Sequence, residues 1–156
     1  MVGPRAASNN NVGKTRQTLY KKVFACIKEA SENGFYLEAI ALEESVLCDR
    51  LESIAGRDSS DSSIKKEKYM TVGKFLTTKN LQKELKEHIP ESLFDKIKVW
   101  WENRNKVIHG MAKFTDVEGA NWENKMNRAH ICAENGIKLV REIDKISKNI
   151  HSSIKK

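Results

Sequence analysis

The chain has no Cys-x-x-Cys pair, no apolar run near the roughly 18 residues needed to span a membrane, no alternating strand pattern and no internal repeat. Its three cysteines, Cys26, Cys48 and Cys132, are widely spaced and odd in number. That pattern excludes a zinc or disulfide framework and reads as reduced, partly buried thiols in a cytoplasmic protein. Without a spanning segment or an amino-terminal hydrophobic signal core, no membrane partner is expected and the chain should be soluble and unexported. What remains is helix.

A length of 156 residues with 39% apolar side chains suits one domain with a real core and is too short for two ordinary ones. The net charge of +7 suits a phosphate-rich partner, yet part of it sits in Lys65-Lys66 and Lys155-Lys156. Charge alone is therefore a weak pointer to nucleic acid.

Residues 1–13 are short of large apolar side chains and read as a disordered lead, and residues 151–156 as a basic tail. Between them a single domain, 14–150, divides into helical patterns. Leu19, Val23, Phe24, Ile27 and Ala30 recur at helical spacing over 14–33, and Gly34 supplies a stop. Over 35–55 an apolar stripe of Leu37, Ile40, Ala41, Leu47, Cys48, Leu51 and Ala55 carries Glu44 at its centre. A carboxylate there is costly unless paired, so Glu44 should meet a cation, a donor or another chain. Residues 56–68 have loop composition, around Ser59-Ser60-Asp61-Ser62-Ser63. Two short helices are predicted over 70–76 and 80–88. A long helix starts after Pro90 and runs over 91–113, and Gly119 and Asn121 mark a turn before a last helix over 122–150. The expected fold class is all-α, a bundle of four to five main helices with short connecting helices.

The long helix carries the chemistry, in Trp101-Glu102-Asn103-Arg104-Asn105-Lys106-Val107-Ile108-His109-Gly110. An Arg holds a phosphate with a planar fork of donors, a His moves protons near neutral pH, and an amide can orient either. At about 100° per residue Arg104 falls inside the stripe of Leu93, Trp100, Val107 and Met111, so its charge is aimed inward or at an interface. Asn105 and His109, four apart, share one edge of that stripe. The plainer reading is a surface or core His beside an Arg that snorkels or pairs with a Glu such as Glu44.

Arg104-Asn105-x-x-x-His109 on the long helix of an all-α domain of this size resembles the HEPN family (higher eukaryotes and prokaryotes nucleotide-binding domains), with Trp100-Trp101 upstream and Gly110 downstream. Tyr36 to Ser45, Asp49 to Ser53 and Val72-Gly73-Lys74-Phe75-Leu76 resemble the early segments of a bacterial and phage HEPN-like group. The resemblance spans residues 14–150. It implies a metal-independent endoribonuclease without cofactor, a toxin or phage-defence effector. It further implies a homodimer whose two Arg-His pairs converge, with a cognate antitoxin or inhibitor as a further partner. His109 would then act as general acid or base at a ribose 2′-hydroxyl and Arg104 would stabilise the scissile phosphate, leaving 2′,3′-cyclic phosphate and 5′-hydroxyl ends. HEPN toxins silenced by adenylylation carry a Tyr two residues after the motif His, where this chain has Met111.

Around this motif Glu44 is the supporting candidate, facing either Arg104 or a partner such as Arg50 that only sets helix register. Arg50, Lys74, Lys106 and Lys113 are candidates to flank an RNA path, against the plainer reading of solvated side chains. Asp49 and Arg50 also suit a surface or inter-helix pair. Trp100 and Trp101 suit core or dimer packing better than base stacking. His88, His130 and His151 lack a motif partner. The competing function is a non-catalytic helical interaction or nucleic-acid-binding module, including a subunit of a toxin–antitoxin or nucleotidyltransferase pair.

Overall fold

Gly34 sets the first turn of the fold. Its φ of +79° is the left-handed conformation that glycine adopts without strain, and it ends α1 (Arg5–Glu32). The Phe35 N–H then bonds Ala30 O at 2.8 Å and the Gly34 N–H bonds Ser31 O at 3.3 Å, a Schellman closure that turns the chain into α2 (Tyr36–Ala55). The computed structural model describes residues 5–56, 71–113 and 121–154, with side chains from residue 13 onward except those of His151 and Ile154. Beyond α2 come α3 (Val72–Thr77), α4 (Lys79–His88), α5 (Glu91–Gly110) and α6 (Trp122–Ile154). Among the described residues these are six helices and no strand, an all-α fold of four long and two short helices.

Local chemistry explains the boundaries. Thr71 starts α3 by accepting the Lys74 N–H on its hydroxyl at 3.3 Å, and Asn121 starts α6 by accepting the Glu123 N–H on Oδ1 at 2.8 Å. Pro90 sits just before the first turn of α5, with its φ of −60° already helical. Helix α5 stops at Gly110, short of the expected Lys113. At that end Lys125 Nζ donates to the carbonyls of Gly110 (2.7 Å), Met111 (3.1 Å) and Lys113 (2.7 Å). A side chain from α6 thus takes over carbonyls that further helical N–H groups would have satisfied.

Two helices run past the expected domain bounds of 14 and 150. Helix α1 begins at Arg5, inside the expected disordered lead, because Ala6 and Ala7 favour helix and no proline follows Pro4 before Glu32. Helix α6 extends to Ile154, into the expected tail, since a 33-residue helix anchored by a packed face continues at little cost. The predicted loop over 56–68 and the Gly119 turn lie, apart from Gly56, outside the described residues.

Helix α2 is the centre of the bundle. It packs most extensively on α6 and also meets α1, α3 and α4. Its buried residues are therefore Ala39, Ile40, Glu43, Val46, Leu47, Arg50, Leu51, Ile54 and Ala55, a wider arc than the expected stripe and rotated from it. Ala41 is exposed and Glu44 stands at the edge of the arc, so Glu43 takes the central position. Helix α5 adds Leu93, Phe94, Ile97 and Trp100, and α6 adds Ala133, Val140 and Ile143, to a core in which each fully buried large apolar side chain contributes about 2 kcal/mol. Trp100 is 4% exposed and its indole N–H bonds Cys132 O at 3.1 Å, which ties α5 to α6. The contacts Lys125–Gly110, Trp100–Cys132 and Lys96–Glu142 run in opposite sequence order, so the two helices are antiparallel. No described helix is long and apolar enough to cross a membrane.

Candidate functional site

Arg104 projects from α5 toward α2. Its Nε and Nη2 both meet Glu44 Oε2, at 2.9 and 2.6 Å, and its Nη1 donates to Asn105 Oδ1 at 3.0 Å. The guanidinium carbon lies 5.0 Å from the centroid of the Trp101 ring, within cation–π range. On the Trp101 side a Cβ at Gly73 would come within 3.3 Å of the indole, so α3 seats the ring closely. A charge, its counter-ion, an amide and an aromatic platform are thus assembled from α2 and α5, backed by α3. The pair is 20% and 19% exposed, dry enough for the interaction to matter and open enough for a ligand to reach it.

His109 is not part of this cluster. Five helical steps of about 100° place it about 140° round α5 from Arg104. It is exposed on the last turn, and among the described residues no side chain bonds to it. Asn105 lies between the two, about 40° from His109 by the same count. Within one chain the motif therefore presents its Arg toward α2 and its His to solvent.

Arg50 is corrected outright as an RNA-binding candidate. It is 6% exposed, pairs with Asp144 at 2.9 Å, reaches Ser147 Oγ at 3.4 Å, and stacks 3.9 Å over the Tyr20 ring. The central position of α2 buries it, and the carboxylate of α6 compensates its charge. It is an inter-helix pair, one of the two roles its sequence position allowed. Asp49 is bound at the neighbouring surface by Arg16 at 2.7 and 2.8 Å and by the Tyr20 hydroxyl. Burial alone would raise the Asp49 pKa, but the bonds from Tyr20 and Arg16 outweigh it and hold it below the usual range, while burial and the Asp49 bond raise Tyr20. Lys74 on α3, Lys106 on α5 and Lys113 beyond it are exposed, on separate elements. Trp100 and Trp101 both pack against the core, so neither is a free stacking platform.

The remaining chemistry-bearing groups lie elsewhere. Glu43 is fully buried with no hydrogen-bond partner among the described residues, and burial pushes its pKa up to about 9. Burial likewise pushes the Cys48 and Cys132 thiols up to about 11, which leaves them protonated and weakly nucleophilic. All three cysteines are free, and Cys26 is exposed. Tyr36 stacks on His130 at 4.4 Å, and His130 Nε2 lies 3.1 Å from Glu134. On α4, Glu84, Glu87 and His88 place donor atoms within 4.8 Å of one another, which is close enough for a cation. They lie on one helix at i, i+3 and i+4, a spacing that solvated helix faces often produce.

Sequence reasoning reached Arg104, Asn105 and Glu44 but missed Lys125, which anchors the end of the motif helix. It also named Glu44 where Glu43 takes the buried central place. For Glu43 the signal was the adjacent carboxylate pair itself, since consecutive helical residues cannot both face one way. Lys125 left no such signal, because its partners are backbone carbonyls across a turn. Comparisons with protein-family models, curated proteins and solved structures return no match to this chain.

Proposed function

We propose that this chain is an endoribonuclease of the HEPN type, acting as a homodimer on RNA without a metal ion. The observation that supports it is the held guanidinium. Glu44 and Asn105 engage three of the five N–H groups of Arg104, and two remain to meet phosphate oxygens. His109, exposed one turn on, serves as the proton carrier. Because the two side chains point about 140° apart on one helix, the productive pair requires the His109 of a second copy, or both copies facing one cleft. The ribose 2′-oxygen attacks phosphorus as His109 takes its proton. The bond to the 5′-oxygen breaks as that oxygen is protonated, and Arg104 offsets the charge that builds on the phosphate. The role is that of a toxin or defence effector, placed in the cytoplasm.

One observation favours a second reading. Arg104 directs both Nε and Nη2 at Glu44, as a structural ion pair does, and this suits a non-catalytic interaction or nucleic-acid-binding module. Incubating wild type and His109→Ala with a defined single-stranded RNA in EDTA, and mapping the fragment ends, separates the two. Cleavage by wild type alone with cyclic-phosphate ends supports the nuclease. A folded dimer that cuts no RNA supports the module.

A further inference from the structure

Away from the Arg104 cluster, α5 and α6 are the described elements that line a groove of about 790 Å³. Its lining runs from Ser92 to Val107 on one helix and from Arg128 to Glu142 on the other, roughly 22 Å at 1.5 Å per residue. The apolar part is Val99, Trp100, Val107, Ile131, Cys132 and Leu139. Val99 and Ile131 are 56% and 59% exposed, one on each wall. A lone exposed aliphatic residue is ordinary, whereas one on each wall of a groove that also holds Val107 and Leu139 makes an apolar surface that excludes water when covered.

The charges along this strip are unbalanced. Lys96 is neutralised by Glu142 at 3.2 Å, but Lys106, Arg128 and Lys138 make no hydrogen bond or ion pair with any described residue. Against these three cations the described lining residues offer only Asp95 as a further acid. An apolar strip bordered by unpaired cations is complementary to an apolar stripe bordered by carboxylates.

We propose that this groove docks an amphipathic helix of a partner protein, with its apolar stripe on Val99 and Ile131 and its carboxylates toward Lys106, Arg128 and Lys138. Two antiparallel helices form a furrow into which a third packs at an axial distance of about 8–10 Å, and roughly 22 Å accommodates four turns, about 15 residues. Single-stranded nucleic acid fits less well. Its bases need exposed aromatic faces, and the one aromatic residue of the lining, Trp100, is buried with its N–H committed to Cys132.

The test is fluorescence anisotropy with a labelled 15-residue helical peptide carrying Leu at i, i+3, i+4 and i+7 with Glu on its flanks, against the same peptide with Lys for Glu. The Leu/Glu peptide is expected to bind at least about tenfold tighter, and more weakly as salt rises. Val99→Asp and Ile131→Asp should each cost about tenfold, and the double variant Lys106→Glu, Arg128→Glu should reverse the preference between peptides. All four positions are exposed, so thermal melts should show the variants folded. Equal binding of the two peptides, or binding unchanged in Val99→Asp, overturns the proposal. So does a groove that ignores the Leu/Glu peptide and instead binds a single-stranded RNA in a manner abolished by the double variant. A dimer that Ile131→Asp dissociates in the absence of peptide would assign the groove to a second copy, which also overturns it.

Discussion

Glu43→Gln should flatten the pH dependence of stability. In the native state the Glu43 carboxyl is fully buried without a hydrogen-bond partner among the described residues, and its pKa rises from 4.5 to about 9. The native state therefore holds a proton that the unfolded chain releases above pH 4.5. Below that value both states are protonated and the carboxyl carries no ionisation penalty. As pH rises toward 9, stability falls by about 1.4 kcal/mol per unit, and beyond 9 both states are ionised and the slope vanishes. Between pH 5 and pH 7 the wild type should thus lose about 3 kcal/mol relative to Glu43→Gln, which keeps the side-chain volume but cannot ionise. Urea unfolding followed by circular dichroism at pH 5, 6, 7 and 8 measures the difference, and the histidines common to both proteins cancel. Parallel profiles would show that water or a cation reaches Glu43, and the reasoning from burial would fail.

Gly136→Ala places a Cβ 1.8 Å from Glu43 Oε2 and 2.8 Å from Trp100 Nε1, so it should cost about 1–3 kcal/mol, and less in a Glu43→Ala background, by thermal unfolding of the double-mutant cycle. Asp144→Ala strands the Arg50 charge between α2 and α6 and should cost about 3–5 kcal/mol in denaturant titration, whereas Lys148→Ala, which removes only an exposed partner of Asp144, should cost under about 1 kcal/mol. Lys125→Met removes the donor shared by three carbonyls at the end of α5 and should cost about 1–3 kcal/mol, with hydrogen exchange accelerating at residues 107–113 more than at residues 91–100.

The helical periodicity of α5 was enough to put Arg104 inside the bundle, and the cost of an unpaired carboxylate was enough to ask for a partner to Glu44. Which cation Glu44 would meet stayed open between Arg104 and Arg50, and the fold decides it for Arg104 by giving Arg50 to Asp144. The burial of Arg50 and Glu43 was not legible in the same way. A single stripe describes a helix covered on one side, and α2 is covered on several, a fact set by α6 nearly a hundred residues later. Arg50 looked solvated because its partner Asp144 belongs to that distant helix. The angular divergence of Arg104 and His109, by contrast, follows from their spacing alone, and counting five steps at about 100° reveals it without coordinates.

The dependence of α2 on α6 also bears on how the chain is made. Arg50 and Ser147, which touch in the folded domain, are 97 residues apart. At about 5–20 residues per second, the ribosome needs roughly 5–20 s to pass from one to the other. Until α6 is made, Ile40, Leu47 and Leu51 lack part of the surface that covers them, and Glu43 has no buried site that would keep it protonated. Closure of the bundle then coincides with a proton uptake, so the closed state is favoured more in mild acid than in alkaline medium.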